Sequence, residues 1–294
     1  MVSIIDGNAV AATIREDLKD KINILKDSGV TPGLATVLMS EDPASRTYVS
    51  MKQRDCEELG MNAVDIVIDP TSPPEELYST LDTLNSNSDI HGYLVQMPIP
   101  SHIPVQELLF RIDPIKDVDG FHPENVGLLV SGNPRYKPCT PHGIQKLLES
   151  IDVETSGKDI VVVGRSNIVG KPLANLLLQK SPNGNATVTV CHSRTNNLPE
   201  KTREADILIA AVGIPEFIDG SMLSKNVVVI DVGVNRVEDD SDKGYRLVGD
   251  VEFDSASEKA KAITPVPGGV GPMTRAMLMY NTVQAASLQS NIPI

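Results

Sequence analysis

The sequence predicts an α/β protein made of two three-layer domains, the second Rossmann-like. Three observations carry this reading. Short apolar runs alternate with helix-period segments over nearly the whole chain, the pattern of mostly parallel sheets covered by helices. At 294 residues, the chain has the length of one large or two ordinary domains. Past its midpoint an apolar strand ends in glycine and gives way to a helix start, as though a nucleotide-binding unit began afresh there. No repeat of fixed period and no low-complexity tract interrupts this organisation.

Taken in order, the first half reads as a helix from Asn8 to Lys26 and a strand from Leu34 to Met39. A helix from Pro43 to Leu59 follows, with Asp42 as its N-cap, proline at its first position and Gly60 as its stop. Next come a strand from Ala63 to Ile68, a helix from Pro74 to Leu84 and a strand from Gly92 to Gln96. A polar, proline-containing stretch from Asp113 to Pro138 leads to Thr140-Pro141, which reads as an N-cap followed by proline at the first helical position. The domain change is expected there.

The second half reads as a strand from Ile160 to Gly164, a helix from about Gly170, and strands at Thr187 to Cys191, Ile207 to Ala211 and Val227 to Val232. After the turn-rich segment Thr264 to Pro272, a helix runs from Met273 to about Leu288 and is expected to return to the first domain. The expected division is therefore 1–139 plus 273–294 for a catalytic domain, and 140–272 for a dinucleotide-binding domain.

Composition excludes several functions. Against 26 Lys and Arg stand 39 Asp and Glu, and the formal charge of -13 repels nucleic acid and anionic membranes at long range. Aromatic residues make up only 3% and Trp is absent, which leaves little for a base-stacking platform. No apolar run reaches the roughly 18 residues that a membrane span needs, and the N-terminus lacks the profile of a signal peptide, so a cytoplasmic protein is expected. Cys56, Cys139 and Cys191 are widely spaced, form no CxxC pair and read as small buried residues. None of the five histidines has metal-site spacing, and no metal is expected.

The segment Val161 to Pro172, VVVGRSNIVGKP, carries the cofactor reading. Gly164 permits a tight turn, Gly170 permits close approach of helix to strand, and free N–H groups at the helix start suit a pyrophosphate. It departs from GxGxxG, because Ser166 stands at the second glycine position; Gly164, Arg165, Ser166 and Ile168 are the candidate cofactor residues of this turn. The next strand ends in His192-Ser193-Arg194-Thr195 rather than in an acidic residue. Ser193 and Arg194, with Arg165, suit a 2′-phosphate and favour NADP over NAD, although arginines at such positions also occur as ordinary solvated residues. Topology places Gly213 and Val234, just past two further strand ends, at the nicotinamide side.

In the first half, Tyr48 and Lys52 stand four apart on one helical face and can enter one pocket, though such pairs are also common on helix surfaces. Gln96 closes a buried strand at its carboxyl end, where α/β folds place ligand contacts. The loop Lys116 to His122 crowds charge and glycine together, and either Asp117 or Asp119 reads equally as a turn cap or a functional carboxylate.

Together the segments Tyr48 to Lys52, Gly92 to Pro100, Lys116 to Pro123, Val163 to Pro172 and Thr264 to Thr274 resemble the signature segments of the bifunctional methylenetetrahydrofolate dehydrogenase/cyclohydrolase family, in order and over nearly the whole chain. The resemblance implies oxidation of 5,10-methylenetetrahydrofolate by hydride transfer to NADP, then hydrolysis of the methenyl product to 10-formyltetrahydrofolate in the same pocket. It implies Lys52 as the principal acid–base residue, Tyr48 packed against the folate, Gln96 tuning the lysine and Asp119 anchoring the pterin. Gly268, Gly269, Val270, Gly271 and Pro272 would line the folate site, and a homodimer through the cofactor domains is expected. His122 and His192 fall within or beside these segments and are read as structural. His142 and the lengthened loop Ser181 to Asn185 depart from the commoner pattern without touching a residue given a chemical role.

Two other readings compete. A different NADP dehydrogenase, acting on shikimate-type or amino-acid substrates, would explain the second half but leave the Lys52 segment without purpose. A non-catalytic NADP-binding protein predicts substitution at Lys52 or Gln96, yet both are present.

Overall fold

The computed structural model describes residues 2–240 and 244–294. The chain forms two compact units: the N-terminal residues through Ala11 with Thr140–Thr274, and Ala12–Cys139 with Arg275–Ile294. In chain order the first elements are β1 (Ser3–Ile4), α1 (Gly7–Asp27), β2 (Gly33–Leu38), α2 (Pro43–Leu59), β3 (Asn62–Val67), α3 (Pro74–Ser86), β4 (Gly92–Gln96), α4 (Val105–Arg111) and α5 (Pro123–Val130). There follow α6 (Cys139–Ser150), β5 (Asp159–Val163), α7 (Gly170–Leu178), β6 (Thr187–Cys191), α8 (Leu198–Arg203), β7 (Ile207–Ala210) and β8 (Val228–Asp231). The last are β9 (Asn235–Glu238), β10 (Tyr245–Val248), α9 (Phe253–Ser257), β11 (Ala262–Ile263) and α10 (Val270–Ser290).

The unit that holds Lys52 is built on a parallel sheet of order β3-β2-β4, with β2 buried along its whole length. Side chains alternate between the two faces of a strand. Ala35, Val37, Tyr93 and Val95 therefore share one face, packed with Leu77, Leu81, Leu84 and Leu108. Thr36, Leu38, Leu94 and Gln96 point to the other, where α2 lies against β2 and β3. From α10, the Asn281 amide donates to the carbonyls of Val118 at 2.7 Å and Lys137 at 2.9 Å, fixing the loop that carries Asp119.

The other unit carries a six-stranded parallel sheet of order β1-β11-β8-β7-β5-β6 among the described residues, with β9 and β10 as a separate antiparallel pair. Its core packs Val161, Val163, Leu208, Ala210 and Val229 against Ile218, Leu223 and Ala256.

Ser3–Ile4 pairs in parallel with Ala262–Ile263, and residues 2–11 group with the six-stranded sheet. The helix expected from Met273 begins at Val270, which puts Pro272 in the first turn, where a missing N–H costs no helical bond. The helix at Thr140-Pro141 starts at Cys139, and the Thr140 hydroxyl meets that of Thr274 at 2.8 Å. The stretch Asp113 to Pro138 contains α5, eight residues long and capped by the His122 ring, which accepts from the Glu124 N–H at 3.0 Å.

Replacing Asn281 with Ala removes the amide donor from the Val118 and Lys137 carbonyls, the first of these bonds buried, and is expected to destabilise its unit by about 1–3 kcal/mol. A lowered thermal midpoint checks this; an unchanged midpoint contradicts the role given to Asn281.

Candidate active site

Helix α2 is fixed at both ends by local chemistry. The Asp42 carboxylate accepts from the N–H of Ala44 at 3.2 Å and of Ser45 at 2.9 Å, and Gly60 closes the helix in the left-handed region at φ 68°. Val49, Cys56 and Leu59 bury one stripe of the helix, and Lys52 falls on that stripe with only 8% of its surface exposed. Its ammonium donates to Gln96 Oε1 at 2.9 Å. Gln96 in turn donates from Nε2 to the Met97 carbonyl at 2.8 Å, and this second bond points the amide oxygen at the lysine. One turn earlier, Tyr48 is 37% exposed and leaves its ring open to solvent.

The loop after α4 separates two aspartates that sequence could not tell apart. Asp117 is buried and accepts from the His122 N–H at 2.7 Å and from Asn125 Nδ2 at 2.8 Å, so it is the turn-holding residue. Asp119 instead lies within the field of the Lys52 charge, while the Cys139 thiol donates to the neighbouring Val118 carbonyl at 3.5 Å.

Burial pushes the Lys52 amine below the ordinary lysine range, and the Asp119 charge opposes it. Burial likewise raises the Asp119 carboxyl, opposed by the Lys52 charge. Desolvation also drives the Cys139 thiol well up, away from thiolate chemistry; all three cysteines are buried and free.

In the other unit, Gly164 takes φ 135° at the end of β5, and a Cβ on Gly170 would run into the Gly164 carbonyl. The glycines therefore do what their positions in the sequence require. Ser166 differs from expectation: its hydroxyl accepts from the N–H groups of Val169 at 3.1 Å and Gly170 at 3.4 Å, so these helix-start donors are already engaged. Arg165, Ser166 and Ile168 are exposed, as are Ser193 and Arg194 past β6. Register pairs Val163 with Cys191, which sets the two arginine-bearing strand ends side by side. His192 is structural, its Nδ1 accepting from the Arg194 N–H at 3.1 Å.

Gly213, at φ 71°, and the exposed Val234 follow the ends of β7 and β8. The turns that hold them are tied by two buried aspartates that sequence reasoning missed, Asp231 and Asp250. Gly268, at φ 106°, and Gly269 precede α10, while Val270, Gly271 and Pro272 form its start; a Cβ on Gly7 would meet the Gly269 carbonyl. Tyr48, Lys52, Gln96 and Asp119 thus lie in one unit, and the other candidate residues in its companion.

A parallel sheet with a glycine turn ahead of a helix, in a chain that also buries a lysine beside an amide and a carboxyl group, is the architecture of an NAD(P)-dependent α/β enzyme. The chain belongs to the tetrahydrofolate dehydrogenase/cyclohydrolase family: residues 5–119 match its catalytic domain and residues 138–290 its NAD(P)-binding domain. The bifunctional protein FolD of Natronomonas pharaonis is 65% identical over the whole chain and 99% of its own length. The structure of the bifunctional enzyme from Campylobacter jejuni is 44% identical and superposes with a TM-score of 0.92, covering 98% of this chain and 100% of that one. The dehydrogenase-cyclohydrolase of Trypanosoma brucei, solved with NADP and an inhibitor, is 38% identical with a TM-score of 0.93 and 98% coverage of both chains. The match of the first half to the catalytic domain answers the reading as a different NADP dehydrogenase, which accounted for the second half alone.

In ligand-free protein, the Lys52 amine is expected to titrate below the ordinary lysine value of 10.5, followed by NMR of labelled lysine side chains. Asp119→Asn removes the larger of the two aspartate charges, Asp119 and Asp65, that oppose burial and is expected to move the titration further down. An upward move contradicts this description of the pocket.

Proposed function

We propose that Lys52 is the principal acid–base group and acts in the hydrolysis, with Gln96, Asp119 and Tyr48 arranged around it; hydride transfer needs no protein base, only the nicotinamide held close to the methylene carbon. The chain oxidises 5,10-methylenetetrahydrofolate to the methenyl form with NADP and hydrolyses that product to 10-formyltetrahydrofolate; its bifunctional relatives and the family's dehydrogenase/cyclohydrolase structures support both activities. The observation that carries the residue assignment is the buried Lys52 amine, held by Gln96 at 2.9 Å beside Asp119.

A lysine must be neutral to take a proton, and burial beside a cationic methenyl substrate favours the neutral amine. Lys52 takes a proton from the water that adds to the methenyl carbon and returns it to the ring nitrogen as the carbon–nitrogen bond opens, while the proton of the added hydroxyl is released to solvent as the formyl carbonyl forms. Gln96 holds the amine in place through its fixed amide oxygen. Asp119 accepts hydrogen bonds from the pterin, and the open ring of Tyr48 packs against the folate. Gly268, Gly269, Val270, Gly271 and Pro272 are assigned to the folate site on the family resemblance.

The residues present fit NADP. The close approach at Gly164 and Gly170 leaves no room for a Cβ, and the adjoining ends of β5 and β6 present Arg165, Ser193 and Arg194 to solvent. NADP when bound supplies a hydride acceptor at its nicotinamide. Gly164, Ser166 and Ile168 lie at the pyrophosphate, Arg165, Ser193 and Arg194 at the 2′-phosphate, and Gly213 and Val234 border the nicotinamide. We place the enzyme in the cytoplasm, where its three free cysteines suit a reducing compartment. We assign the homodimer to the cofactor unit, whose edge strand β6 leaves Thr187, Thr189 and Val190 exposed.

Lys52→Met is expected to slow hydrolysis of added methenyltetrahydrofolate by about 10²–10⁴-fold, the usual contribution of a general acid–base group. Unimpaired hydrolysis overturns the assignment. Arg194→Ala is expected to raise the KM for NADP roughly tenfold or more, as loss of a charge-assisted bond does, while sparing the KM for NAD. An equal change for the two cofactors contradicts a 2′-phosphate role.

A further inference from the structure

We propose that Asp231 and Asp250 are the positioning residues of the nicotinamide side of the cofactor site, holding the turns after β7 and β8 in the shape that receives NADP. The inference rests on the reading above that Gly213 and Val234 border the nicotinamide.

Asp250 lies between β10 and α9 and is fully buried. Its Oδ2 accepts from the N–H groups of Val212 at 2.6 Å and Gly213 at 2.9 Å. Its Oδ1 accepts from the Ile214 N–H at 3.1 Å and from Asn235 Nδ2 at 2.9 Å. Three successive backbone donors of the turn after β7 therefore converge on one carboxylate, together with the first side chain of β9. Such a convergence is the form of an anion-binding nest, and here the chain fills it with its own carboxylate.

Asp231, the last residue of β8, extends the network. Its Oδ1 accepts from the N–H groups of Gly233 and Asp250, both at 2.9 Å, and its Oδ2 from Val251 at 3.0 Å. Its own N–H donates to Thr264 Oγ1 at 2.8 Å, at the head of the segment that leads to Gly268. Two glycines make room for the pair. A Cβ on Gly233 would strike the Asp250 carboxyl, and one on Gly249 would strike that of Asp231.

Two buried carboxyl groups in one network cost folding free energy that apolar residues would not. The cost is visible in Asp231, whose carboxyl is pushed up to about 6, chiefly by burial. What the pair provides is a turn that is rigid before the cofactor arrives, with no donor left to rearrange.

The test compares the two activities of the full chain. Asp250→Asn places an amide donor among backbone donors. It is expected to raise the KM for NADP about tenfold or more and to lower the dehydrogenase kcat, while hydrolysis of added methenyltetrahydrofolate stays within about twofold of wild type. Equal loss of both activities marks a merely structural pair and overturns the proposal, as does unchanged dehydrogenase activity. Should Asp250→Asn fail to fold, Asn235→Ala removes one donor and is expected to raise the KM for NADP by a smaller factor, again without loss of hydrolysis; no rise overturns the proposal. Val234→Asp separates this inference from the reading beneath it. If Val234→Asp leaves NADP use untouched, the placement of the turns is wrong; if it impairs NADP use and Asp250→Asn does not, the carboxylate role alone fails.

Discussion

The buried ammonium of Lys52 is the constraint on which its unit depends. A lysine on the apolar stripe of a helix is costly unless its head finds partners, and here the Gln96 amide oxygen and the charges of Asp119 and Asp65 supply them. The same cost makes the residue useful, since an amine that is reluctant to hold its proton can both take and return one. Much of the surrounding structure serves to keep those partners still. Asp42 and Gly60 set the start and end of α2, the Met97 carbonyl sets the Gln96 amide, and Asn281 grips the loop before Asp119.

Helix α2 carries a second buried charge that behaves differently. Asp55, three residues beyond Lys52, meets Arg275 at 3.1 Å and Arg15 at 3.8 Å. Burial raises its carboxyl and the two arginines oppose the rise. Arginines from α1 and α10 thus share a carboxylate from α2 and tie three helices together, whereas Lys52 bonds an amide oxygen and meets Asp119 and Asp65 only through their charges. The Asp231–Asp250 network is a third use of buried charge, in which backbone N–H groups replace arginines and the object held is a turn.

How much of this was legible in the sequence depended on how local each signal was. The bounds of α2 can be read because both caps are adjacent chemistry, Asp42-Pro43 at one end and Gly60 at the other. Strands β4 and β6 are apolar runs with abrupt ends and are equally legible. Strand β1 is two residues long and gains meaning only from Ala262–Ile263, far along the chain. The pair β9 and β10 and the short helix α5 are each too brief to build a period. At the site, the Tyr48 and Lys52 spacing was readable, but the distinction between Asp117 and Asp119 was not. It lies in the His122 N–H and Asn125, which engage one and not the other. Asp231 and Asp250 gave no signal because most of their partners are backbone groups 19 to 38 residues away.

The central claim is that the surroundings of Lys52 set its proton affinity and that this affinity governs hydrolysis. The most direct test is the pH profile of kcat/KM for methenyltetrahydrofolate hydrolysis in the wild type and in Gln96→Glu, since that ratio reports the titration of the free enzyme. The account predicts a rising limb with its midpoint below the ordinary lysine range, displaced to higher pH in Gln96→Glu because a carboxylate at that position favours the charged amine. A limb that stays where it was when Gln96 becomes Glu would contradict it.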